Sequence, residues 1–79
     1  MNIHDTALKH GLAPDGIRQA AAWPLWVEYL DDDSPARQLR LGFDTHGRLF
    51  ETVGLVFDSG NELVIHGMKA RAPMLDLLP

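Results

Sequence analysis

Two short polar turns, Asp44-Thr45-His46-Gly47 and Asp58-Ser59-Gly60-Asn61, divide the second half of this chain into three strand-like runs. These are R-Q-L-R-L-G-F from Arg37, R-L-F-E-T-V-G-L-V-F from Arg48 and E-L-V-I-H-G-M-K from Glu62. Tight glycine-bearing turns between runs rich in branched and aromatic residues join antiparallel neighbours, so this half reads as a meander. Leu25 to Leu30 (L-W-V-E-Y-L) has the same character and predicts a first strand. Ahead of it, Ile3 to Lys9 predicts a short helix stopped by Gly11. Asp15 can cap a second helix, Gly16 to Ala22, which Pro24 ends because the residue before proline is pushed to extended geometry. The tail after Pro73, Met74 to Leu78, predicts one apolar helical turn or a docked extended segment. The fold class expected is α+β, with two short N-terminal helices packed on a four-stranded antiparallel meander sheet.

Turn placement then assigns the faces of the sheet. With tips at Thr45-His46 and Ser59-Gly60, Arg40 lies opposite Glu51, Leu41 opposite Phe50 and Val53 opposite His66. Side chains alternate along a strand. One face therefore gathers Leu39, Leu41, Phe43, Phe50, Val56, Leu63 and Ile65, the expected core under the helices. The other gathers Gln38, Arg40, Leu49, Glu51, Val53, Leu55, Phe57, Val64, His66 and Met68. That second face is too apolar for water and too polar for a core, the character of a surface that meets a ligand or a partner. A bulged three-residue loop at His46-Gly47 would instead slip the first hairpin by one residue and exchange the faces of its first strand.

Seventy-nine residues make one domain, residues 1–79, whose modest core predicts modest stability. The absence of cysteine excludes a disulfide framework, a zinc knuckle and a thiol nucleophile. No secretory signal follows Met1, and no segment approaches the ~20 apolar residues of a membrane span. A cytoplasmic location without membrane contact is the expectation. A formal charge of −4 argues against broad, non-specific binding to nucleic acid. The charges are uneven, however: Arg37, Arg40, Arg48, Lys69 and Arg71 all fall in the sheet half. Asp31, Asp32 and Asp33 read as a solvated turn ended by Ser34-Pro35, since adjacent carboxylates rarely converge on a metal. No glycine-rich phosphate loop is present, and neither a metal nor a cofactor is expected.

Arg40, Glu51 and His66 carry the chemistry that this pairing brings together. The plain reading of Arg40 and Glu51 is a cross-strand ion pair contributing about 0.2–1 kcal/mol. The functional reading is RNA cleavage without a metal. That reaction needs a base for the 2′-hydroxyl, a cation on the phosphorane oxygens and an acid for the departing 5′-oxygen. Carboxylate and imidazole suit the proton transfers and arginine the developing charge, so His66, Glu51 and Arg40 are the catalytic candidates. Lys69 lies at the edge of the core face, and Arg71, just past the last strand, can reach either side. His4, near the terminus, and His46, in a turn, carry little signal.

Four short elements follow one another along the chain: Lys9-His10-Gly11, the R-x-x-x-L-G of Arg37, Leu41 and Gly42, Gly47-Arg48-Leu49, and an I-x-x-x-K-A from Ile65 to Lys69-Ala70. In this order and spacing, over roughly residues 8 to 71, the chain resembles the BrnT-like toxins of bacterial type II toxin–antitoxin systems, small RelE-type ribonucleases. The resemblance implies helices on one face of an antiparallel sheet, an opposite face that cuts messenger RNA, and a cognate antitoxin that masks it. It points to His10, Arg37 and Lys69, and with Arg71 these form the expected substrate-binding set. The chain departs from the family in having Met68 where an arginine is usual, and in being acidic where such toxins tend to be basic.

The resulting expectation is a metal-independent endoribonuclease toxin, acting on mRNA free or on the ribosome and neutralised by an antitoxin protein. The alternative is a catalytically inactive module that binds a protein partner, or its own copy as a homodimer, through Leu49, Val53, Leu55, Phe57 and Val64.

Overall fold

A computed structural model describes all 79 residues. It has eight elements: β1 (Asn2–Ile3), a single 3-10 turn (Asp5–Leu8), α1 (Pro14–Ala22), β2 (Pro24–Tyr29), β3 (Ala36–Phe43), β4 (Leu49–Val56), β5 (Glu62–Lys69) and α2 (Ala72–Leu75). The α+β class stands. The sheet, however, has five strands in the order β1-β5-β4-β3-β2, and β1 runs parallel to β5 while the others are antiparallel. The first expected helix is thus corrected to a short strand and one 3-10 turn. His4 N–H donates to the Val64 carbonyl at 2.8 Å, which commits the N-terminus to the sheet edge before a helix can begin. Helix α1 starts at Pro14, which suits the first helical turn, where a missing N–H costs nothing, so Asp15 lies inside the helix and is not its cap.

Both hairpins close with three-residue loops. Asp44 N–H donates to the Arg48 carbonyl at 2.9 Å, and Phe57 N–H to the Asn61 carbonyl at 2.9 Å. Gly47 and Gly60 close them with φ of 75° and 90°, a left-handed conformation that costs glycine little. The first loop sets Arg40 opposite Thr52, Leu41 opposite Glu51 and Gly42 opposite Phe50, one residue away from the two-residue-tip pairing. The faces of β3 are therefore exchanged, and the Arg40–Glu51 pairing is corrected. In the second hairpin the slip is undone by a bulge. Gly54 pairs with Val64 and Val53 with His66, so Ile65 is the extra residue and the expected Val53–His66 and Glu51–Met68 pairs are present.

Beneath α1 and the 3-10 turn, the core gathers Ala7, Ile17, Ala20, Ala21, Phe50 and Val64, flanked by Ile3, Leu8 and Leu12. Small residues set this packing distance. A Cβ on Gly42 would run into the Ala20 backbone, and one on Gly67 would stand 3.1 Å from Ile17 Cδ1. Leu39 and Leu41, expected in this core, are buried on the opposite face instead. Val64, expected on the mixed face, is in the core.

Candidate functional site

The exchanged register reassigns Arg40. It lies on the helix-covered side, where its Nη1 donates to the Ala21 carbonyl at 2.8 Å and to Glu62 Oε1 at 2.9 Å. Its Nε donates to Gln38 Oε1 at 2.6 Å. These bonds cap the C-terminal end of α1 and neutralise the guanidinium, and Arg40 is not the partner of Glu51.

On the opposite face Glu51 has a different partner. Its side chain is 1% exposed, and Arg71 Nε donates to Oε1 at 2.6 Å with Nη2 reaching Oε2 at 3.4 Å. Arg71 precedes α2, so this pair also ties the C-terminal tail to β4. Charge-assisted contacts of this length are among the stronger hydrogen bonds, and the Arg71 side chain remains 59% exposed. Glu51 therefore holds one edge of the guanidinium of a half-exposed Arg71 side chain.

His66 stands on the Glu51 side of the sheet, across from Val53. The 3-10 turn packs against β5, anchored where Thr6 Oγ1 donates to the Ile65 carbonyl at 2.8 Å. It delivers His10 to His66, and the two rings meet edge to face with centroids 5.6 Å apart. Burial is the main force holding the His66 pKa below its ordinary value. Glu51 opposes that shift, while His10, Arg71 and Lys9 reinforce it. His66 is thus a neutral imidazole near pH 7, able to accept a proton, with a second imidazole and two cations acting on it.

Four of the seven residues named from sequence, His66, Glu51, His10 and Arg71, are brought into one cluster. Three are not. Arg40 is on the other face. Arg37, near the far end of β3, gives its Nε–H to Asp31 Oδ2 at 2.7 Å. That hydrogen bond is the first cause of the lowered Asp31 pKa. Lys69 pairs across from Phe50, on the core face, and is exposed. Lys9 joins the cluster through its charge on His66, and its place next to His10 in the K-H-G step was the available signal. An open cleft of about 500 Å³ lies elsewhere, lined by Met1, Pro24, Val27 and the already neutralised Arg40–Glu62 pair. No group of three or more histidine, aspartate or glutamate residues is placed to hold a metal.

The chain matches no protein-family model, no curated protein and no solved structure. No helix is long and apolar enough to cross a membrane.

Proposed function

We propose that this chain is the toxin of a type II toxin–antitoxin pair, a metal-independent endoribonuclease with a BrnT- and RelE-like arrangement of helices on one sheet face and the cutting site on the other. The observation that carries the reading is the His10–His66 contact beside the Glu51–Arg71 pair. Neutral His66 takes the 2′-hydroxyl proton, and the 2′-oxygen attacks phosphorus. Arg71, with Lys9 nearby, stabilises charge on the phosphorane oxygens. His10, as the acid, gives a proton to the departing 5′-oxygen, leaving a 2′,3′-cyclic phosphate and a 5′-hydroxyl. Glu51 positions Arg71. The polar cluster is local, which reconciles a phosphate site with a net charge of −4. A cognate antitoxin masks this face in the resting cell.

Inducible expression of the wild-type chain and of His66→Ala in a bacterial host tests the reading. Growth arrest with new RNA ends, both abolished by the substitution, is the expected result. Normal growth and unchanged RNA from well-folded wild-type protein would contradict it. The second reading, a protein-binding module without catalysis, draws on one observation: six large apolar side chains stand exposed on and beside β2. On that reading Val27→Asp abolishes partner capture and no variant alters RNA.

A further inference from the structure

We propose that two copies of this chain associate through their β2 edges, antiparallel about a two-fold axis at Val27, to form one continuous ten-stranded sheet. Strand β2 is outermost, and only its inner side is satisfied, as where Leu30 N–H donates to the Arg37 carbonyl at 2.8 Å. Antiparallel alternation then turns the N–H and C=O groups of Val27 and Tyr29 outward. Native edges are usually guarded by lysine, proline, a bulge or a covering element. Here the bulge and the proline lie at the very start, and between Leu25 and Tyr29 the single charge is Glu28.

The side chains around that edge are apolar and open to solvent. Trp23 is 77% exposed and Tyr29 61%, and Leu25, Val27, Leu30 and Phe43 are each exposed by two-fifths or more. Taking about 150–250 Å² for a whole aromatic side chain, Trp23 and Tyr29 alone present roughly 300 Å², while Phe43 faces the other side of the sheet. With the half-exposed aliphatic residues the strip reaches roughly two-thirds of the ~800 Å² per partner of a standard interface. Of the remaining exposed large apolar residues, Met1 and Phe57 lie outside the strands and helices and Leu75 ends α2.

Charge selects both the occupant and its direction. A parallel second copy would abut the two Asp31-Asp32-Asp33 blocks. The antiparallel copy sends them to opposite ends, roughly 33 Å apart at about 3.3 Å per residue. An axis at Val27 sets Leu25 across from Tyr29 and Glu28 across from Trp26. Moving the axis to Glu28 would oppose two carboxylates, which disfavours that register.

Sedimentation velocity across a dilution series of the wild-type chain tests this directly. The expected result is a concentration-dependent dimer that Val27→Pro weakens about tenfold or more. Proline there removes an outward N–H while leaving the β2–β3 ladder intact, and circular dichroism checks that the fold is kept. A cysteine scan is independent of that variant, because the chain has no cysteine of its own. Under mild oxidation Val27→Cys links two copies and Asp32→Cys does not. A wild-type monomer at every concentration, a dimer indifferent to Val27→Pro in folded protein, or linking through Asp32→Cys would each overturn the proposal. None of these outcomes bears on RNA cleavage.

Discussion

His66 carries a pH dependence whose sign follows from its surroundings. Its folded pKa lies below the ~6.5 of an unfolded-chain histidine, mainly because the ring is partly buried. Between those two values the unfolded chain binds more protons, so stability rises with pH. The contribution is complete above the unfolded value and is lost as pH falls through the folded one. Urea midpoints taken from about pH 7.5 down to about pH 5 should fall. In His66→Gln the same series should fall less. Arg71 and Arg40 separate chemistry from architecture. Arg71→Ala strips a buried carboxylate of its hydrogen bonds and should cost about 1–3 kcal/mol, with loss of cleavage. Arg40→Ala should cost a similar amount, again about 1–3 kcal/mol, while cleavage per folded molecule stays intact. Denaturant titration and a cleavage assay on the same preparations distinguish the two. Trp26 Nε1 is the one buried side-chain donor without a partner. Trp26→Phe should therefore keep stability within about 1 kcal/mol of wild type or raise it, as read from the urea midpoint.

At the scale of elements, the turns governed how much could be read in advance. The four long strands are visible in the sequence because each is bounded by turn residues and filled with branched or aromatic ones. Loop length was harder to read. Asp44 decides it through its carboxylate, which accepts from His46 N–H at 2.9 Å, Arg48 N–H at 2.7 Å and Arg48 Nε at 2.7 Å. Burial works against the charge on Asp44, yet these bonds and the Arg48 cation keep its pKa low. A carboxylate bonding its own turn favours the three-residue loop over the two-residue tip. The one-residue difference moved Arg40 to the other face. The bulge at Ile65 was equally silent, and it preserved the Val53–His66 pair that the unbulged pairing had found. His10 was indicated by the family resemblance and His66 by strand pairing; what brings them together is the Thr6 anchor on β5, a contact 59 residues apart in sequence. Glycine packing gives the element-scale prediction. Gly42→Ala pushes a methyl into the Ala20 backbone and should cost about 1–3 kcal/mol or more by overpacking. Gly11→Ala meets no atom and should cost only about 1 kcal/mol, for its left-handed backbone. Thermal unfolding of the pair measures the difference.

For the whole molecule, size and charge set the frame. Fifteen of 79 residues are buried, a small core in which single changes of 1–3 kcal/mol weigh heavily. A second copy on β2, or an antitoxin on the opposite face, would add buried area that one chain lacks. On the proposed reading, net negative charge confines RNA contacts to the few cations at one corner of the surface, so cleavage should weaken only shallowly with added salt. The most direct measurement is cleavage of a defined RNA by the purified chain in chelator, with the ends of the products identified. The account predicts 2′,3′-cyclic phosphate and 5′-hydroxyl ends, lost in His66→Ala and in His10→Ala and retained in Arg40→Ala. Intact RNA under those conditions, or cleavage that survives both histidine substitutions, would contradict it.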